Sequence, residues 1–154
     1  MLFVPIVVVM VLIDRLAKAW ASDNLSQGVI GSSFGPVDFT LVHNAGAAFG
    51  MGQGNGLVFI IIALVICTVI VIWLAAVKRH HPIEVASLAL IMAGGIGNLI
   101  DRVTTGYVVD FIQFNFIDFP VFNIADICVT CGVVVFIVML ITSSAFTEQA
   151  DEET

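Results

Sequence analysis

The chain has 154 residues, 60% of them hydrophobic and only 11% charged, with a mean hydropathy of +1.11. Soluble domains carry roughly 25% charged residues, so this composition excludes an ordinary water-soluble globule and describes a membrane protein. The formal net charge of −7, part of it in the terminal "EQADEET", argues against nucleic acid as a partner.

Crossing hydrocarbon as a helix takes about 20 mostly apolar residues. The first such window, 2–20, contains "LFVPIVVVMVLI" and runs out into "AWAS" at 19–22, which together imitate a secretory signal with its cleavage site. It lacks a basic leading region, and Asp14, Arg15 and Lys18 interrupt it before that site, so the segment reads as a retained first helix. Asp14 and Lys18, four apart, share one helix face near its outer end. In the long connection 22–56, "VDFTLVHN" alternates apolar and polar residues between Gly and Pro, which predicts a strand in a small sheet on the membrane surface. The following "GMGQGNG" has neither the spacing nor the βαβ setting of a phosphate cradle and reads as a turn.

The second window, 57–77, runs into the tight loop "KRHHP" at 78–82, and the third spans 83–102. It ends in "GGIGNLIDR", where Asn98 and Arg102 share a face and Asp101 lies one turn from Asn98; Gly94, Gly95 and Gly97 suit close helix packing. The fourth window, 122–146, opens with Asn123 and Asp126, and 147–154 reads as a solvated acidic tail. The predicted fold is a single all-α membrane domain of four transmembrane helices with a small sheet. Parity puts the ends of helices one and three and the starts of two and four on one side. Lys78 and Arg79 fill the short loop on the other, which the positive-inside rule makes cytoplasmic. Both termini are then inside and both long connections outside.

By this topology, every polar group in the spans gathers at the outer boundary, where ionisable groups are costly enough to mark a functional site. Asp14 with Lys18, and Asp101 with Arg102, read equally well as ion pairs anchoring helix ends. Asp118, among loop aromatics, reads as solvated. Asp110 and Asp126 are different: each is embedded in apolar sequence with no cation within one helical turn. Two acids facing each other in a low dielectric share a proton, so that one takes a proton from water while the other donates to a carbonyl oxygen. This chemistry needs no metal, and none is expected: His80 and His81 are adjacent, His43 stands alone as a structural donor, and none has ligand spacing.

"DRLAK" in the first helix, "NAGAAFG" at 44–50, "GGIGNLIDR" at 94–102, "VVDFI" at 108–112 and "FNIAD" at 122–126 together resemble the motifs of lipoprotein signal peptidase, the bacterial signal peptidase II family. The motifs follow family order along essentially the whole chain. The resemblance implies a four-helix aspartyl endopeptidase of the bacterial inner membrane with an extracytoplasmic β-cradle. Its substrates would be prolipoproteins, cut immediately before the diacylglyceryl-modified cysteine of a lipobox. By motif, Asp110 and Asp126 become the catalytic pair, 16 residues apart in the chain. Asn44, Asn98, Arg102 and Asn123 match the residues around the dyad and bound peptide, and Asp14, Lys18 and Asp101 give structural support. A monomer without cofactor, partnered by membrane lipid, is expected, with its active site at the extracytoplasmic face.

Two alternatives come from other classes. "CVTC" at 128–131 resembles the redox motif of four-helix thiol oxidoreductases, but such enzymes need a second cysteine pair and only Cys67 remains. A proton-coupled transporter uses intramembrane acids too, but places them near the midplane rather than at one boundary.

Overall fold

The computed structural model of the protein describes residues 2–46, 52, 54–77 and 80–152, with side chains described to residue 142. Lys78 and Arg79, on which the orientation argument rests, lie outside the described residues, as do 47–50 of "NAGAAFG", Met51 and Gln53 of the glycine-rich turn, and the side chains of the acidic tail. The elements in chain order are α1 (Phe3–Asn24), β1 (Ser32–Phe34), β2 (Val37–Asn44), α2 (Gly56–Ala76), α3 (Pro82–Thr104), β3 (Val108–Phe114) and α4 (Ile124–Glu152).

Each helix window is found, with shifted ends. α1 extends to Asn24, and α4 continues through 147–152, where no glycine or proline interrupts a run containing good helix formers. Among the described residues, three helices are long and apolar enough to cross a membrane: α2, α3 and the Ile124–Thr142 part of α4. α1 is of similar length but carries Asp14, Arg15, Lys18 and Asp23. Starts and stops follow local chemistry. α3 begins with His81 as N-cap, Pro82 in its first turn and Glu84 closing a capping box. It ends at Thr104, and Gly106, at φ +84°, lets the chain turn away towards β3.

α3 is the central helix and packs against the other three. Ile70, Leu88 and Met92 form the core between α2 and α3, and of α2 only Ile70 is buried. The outward residues of α2, among them Leu57, Ile61, Val65, Val69 and Ile72, are apolar and exposed, as a lipid-facing surface requires. Small residues bring α3 and α4 together: a Cβ on Gly132 would stand 2.7 Å from the Ser87 carbonyl oxygen, and one on Gly94 would collide with that of Ala125.

The sheet is antiparallel, in the order β1-β2-β3. β1 and β2 are joined by the two-residue turn Gly35–Pro36, with Gly35 at φ +58°. β2 occupies the predicted stretch 37–44, whereas β3 has too little alternation to be seen in advance, because Val108, Val109, Asp110 and Phe111 are all buried. Leu41, Val109 and Phe111 pack with Ala21 of α1, and this second core fastens the sheet to the end of α1.

Candidate active site

Three local features bring Asp110 and Asp126 to one place. Between the pairs Phe39↔Ile112 and Val42↔Asp110 the register slips, so Thr40 and Leu41 of β2 oppose Phe111 alone; such a bulge re-aims the neighbouring side chains. The chain then leaves β3, loops through 115–121, and returns to pair Phe122 with Ile112, the Phe122 oxygen accepting from the N–H groups of Phe111 and Ile112. α4 starts at once. Asn123 and Asp126 cap it reciprocally, the Asp126 N–H donating to Asn123 Oδ1 at 3.0 Å and the Asn123 N–H to Asp126 Oδ2 at 3.1 Å.

Asn123 is fully buried and touches both acids, since its Nδ2 also donates to Asp110 Oδ1 at 2.6 Å. The second oxygen of Asp110 accepts from Asn44 Nδ2 at 2.8 Å, and Asp126 Oδ1 accepts from Asn98 Nδ2 at 2.8 Å. Four N–H donors from three asparagines thus hold the two carboxylates. Burial pushes the Asp110 carboxyl up to about 7, against the opposing effect of its Asn44 hydrogen bond; the nearby Asp126 charge pushes the same way as burial, and the Asn123 bond and Lys18 oppose it.

Behind the pair lies a cluster of four charges. Lys18 is 2.9 Å from Asp14 Oδ2 and 2.8 Å from Asp101 Oδ2, and Arg15 also pairs with Asp101. Each acid in the cluster steadies the backbone beside one of the two facing acids: Asp14 Oδ1 accepts from the Ala125 N–H, and Asp101 Oδ2 from the Val109 N–H. In front of the pair opens a cleft of about 700 Å³ that also touches Asn44, Asn98 and Arg102; its remaining walls are mostly apolar, from α2, α3, α4 and the aromatic end of β3.

Residues 6–142 match the sequence profile described as Signal peptidase (SPase) II. The chain belongs to the signal peptidase II family. The lipoprotein signal peptidase of Clostridium tetani is 38% identical to it over 151 residues, covering 94% of this chain and 95% of that protein. That of Clostridioides difficile is 39% identical over 138 residues, covering 87% and 90%. Two bacterial membrane enzymes solved by the in meso method, at 2.3 and 1.9 Å, have similar folds. The first has a TM-score of 0.86 at 33% identity, covering 92% of this chain and 88% of that one; the second 0.81 at 34%, covering 89% and 90%.

For a signal peptidase II chain, the sequence-predicted residues group together: Asp110, Asp126, Asn44, Asn98 and Asn123 form one network, and Asp14, Lys18 and Asp101 the cluster behind it. One pairing needs correction. Asp101 does not pair with Arg102, because adjacent helical residues point about 100° apart. Asp101 turns inward to Lys18 and Arg15, while Arg102 turns to the cleft, donates to the Gly46 oxygen at 3.0 Å, and sits over the Phe59 ring at 5.1 Å. Arg15 was not singled out as a site residue, although its adjacency to Asp14 was a signal: two neighbours on a helix need partners on different faces. His43 stacks on Tyr107 at 4.1 Å, and Asp118 is exposed on the loop. The redox reading of Cys128 and Cys131 is not supported: the relatives are peptidases by name, and both thiols are free, one buried and the other exposed.

Proposed function

We propose that this protein is a membrane aspartyl endopeptidase that cleaves the signal peptide from prolipoproteins immediately before a diacylglyceryl-modified cysteine, with Asp110 and Asp126 as its reacting pair. The observation that carries the reading is the pair of carboxylates from two separate elements, joined through Asn123 at the polar end of an apolar-walled cleft, in a signal peptidase II chain.

The chemistry divides between the two acids. Asp126, in the first turn of α4 and held by the Asn123 N–H and the Asn98 amide, is the base that takes a proton from water. Asp110, held up at about 7, keeps its proton near neutrality and gives it to the scissile carbonyl oxygen as the water oxygen bonds to carbon. When the C–N bond breaks, Asp126 gives the proton it took from water to the leaving amine, and a hydroxyl of the tetrahedral intermediate returns its proton to Asp110 as the new carboxyl group forms. Asn44 and Asn98 keep the carboxylates in place, and Arg102, at the cleft wall, is positioned to hold the peptide backbone.

The same reading extends to the membrane. α1 serves as a fourth span: Asp14 and Lys18 are each 1% exposed and paired against α3, while its outward residues, including Val4, Val8, Leu12 and Leu16, are apolar. Lys78 and Arg79 set the short loop inside, so both termini are cytoplasmic, and the site and sheet, a β-cradle, lie at the extracytoplasmic face of the bacterial inner membrane. One chain supplies both acids, which suits a monomer.

Acyl chains stabilise by about 0.8 kcal/mol per buried methylene, so a diacylglyceryl group holds the substrate in lipid beside the cleft. The test compares one lipobox peptide with and without the lipid on its cysteine, in one detergent at matched concentrations, with mass spectrometry fixing the cut. The lipidated form is expected to be cut far faster, immediately before the cysteine. Equal turnover, or a cut elsewhere, refutes the reading.

A further inference from the structure

Three asparagines present amide nitrogens to the two acids, and a donor on the amide oxygen fixes that orientation more firmly, because a half-turn of the amide exchanges donor for acceptor. For two of them a backbone N–H does the holding: Gly46 N–H on Asn44 Oδ1 at 2.9 Å, and Asp126 N–H on Asn123 Oδ1 at 3.0 Å. Asn98 is different. Its Oδ1 accepts from Lys18 Nζ at 2.9 Å and from Asn123 Nδ2 at 3.1 Å, both side-chain donors.

Lys18 is buried, forms ion pairs with Asp14 at 2.9 Å and Asp101 at 2.8 Å, and donates a hydrogen bond to Asn98 Oδ1. With Arg15 on Asp101, the cluster already holds two negative and two positive charges, so the bond to Asn98 is not needed for neutrality. If the Asn98 amide turned over, its NH₂ would face the Lys18 ammonium and the Asn123 amide nitrogen, and its oxygen would face the Asp126 carboxylate.

We infer that Lys18 is a positioning residue of the peptidase: by holding Asn98 Oδ1, it keeps the Asn98 amide nitrogen on Asp126 Oδ1. This rests on Asp126 being one of the reacting pair. Lys18 does not line the cleft, so its effect falls on the reacting geometry and not on peptide binding.

Lys18→Met alone would leave the two acids facing only Arg15, an uncompensated buried charge. It is therefore combined with Asp14→Asn, which restores neutrality and leaves an oxygen for the Ala125 N–H. The expected result is a folded double variant whose kcat on a lipidated prolipoprotein falls about 100-fold, the scale of a misplaced reacting group, with KM within about twofold. In an Asn98→Ala background, the same two substitutions should change kcat by less than about twofold, since the group they act through is gone. Wild-type kcat in the double variant, or the same fold loss without Asn98, overturns the inference.

A second measurement does not depend on the variants folding. In wild-type protein carrying ¹⁵N-labelled asparagine, one Asn98 side-chain amide proton should lie downfield, as a charge-assisted hydrogen bond requires. An Asn98 amide at the shift of a free side chain overturns the inference. If wild-type protein fails to cut at all, the peptidase reading falls, and this spectrum still decides whether the Asn98 amide nitrogen is held on Asp126, loss of the downfield shift in the Lys18→Met, Asp14→Asn variant being the result expected of the Lys18 hold.

Discussion

Replacing Asn44 with alanine removes the 2.8 Å hydrogen bond from its amide to Asp110 Oδ2. That bond favours the ionised carboxyl, so its loss moves Asp110 further up from the value of about 7 to which burial has already pushed it. A hydrogen bond to a charged group contributes about 1.5–3 kcal/mol, and one pH unit corresponds to about 1.4 kcal/mol. Asn123 still donates at 2.6 Å and the cleft is open, so an effect at the low end, about one unit, is expected. In the proposed mechanism Asp110 works in its protonated form, and activity is lost as pH rises through its value. The alkaline limb of kcat/KM should therefore sit near pH 7 in the wild type and about one unit higher in Asn44→Ala. The Gly46 N–H also loses its acceptor, which lowers the rate at every pH but does not move the limb. The assay is cleavage of a lipidated prolipoprotein in detergent across pH 5 to 9, with each buffer checked for intact enzyme. A limb that stays in place or moves down refutes the assignment of Asp110 as the proton donor.

Asp110→Asn and Asp126→Asn should each abolish cleavage in a protein that still extracts as a folded monodisperse species, whereas the exposed Asp118→Asn should cut at close to the wild-type rate; activity in either of the first two sinks the pair. Replacing Cys128 and Cys131 with alanine, singly and together, should leave proteolysis intact, with thermal unfolding showing a loss of at most about 1–3 kcal/mol from the buried Cys128. Gly97→Ala should cost about 1–3 kcal/mol and lower activity, because its Cβ would stand 2.6 Å from Asp14 Oδ2 and 3.2 Å from the Ala125 Cβ; a variant as stable and active as wild type would show that α1, α3 and α4 are not packed this closely.

Much of this was legible in the chain because it depends on near neighbours. Apolar runs of about 20 residues announce helices whatever surrounds them, and alternation over 37–44 marked β2 to the residue. The acids stood out because a carboxylate flanked only by apolar residues has no local means of being satisfied. Asn98, Arg102 and Asn123 stood out as polar residues at the ends of spans and Asn44 by motif resemblance, and neither signal carries contacts. What joins the site depends on elements far apart in sequence: Arg15 with Asp101, Asp14 with the Ala125 N–H, and Lys18 with Asn98. Pairing Asp101 with Arg102 failed for the same reason, since helix geometry turns neighbours apart and only packing decides which helix each then meets. The bulge facing Phe111, which aims Asp110 at α4, is a mismatch between two strands and has no existence in either one alone. Short-range periodicity therefore determined the four helices and β2, and left β1 and β3 to the pairing of the sheet. The donor for each carboxylate oxygen was decided by the packing of α1, α3, α4 and the sheet, because an amide or an ammonium takes its orientation from whatever acceptors the fold puts around it.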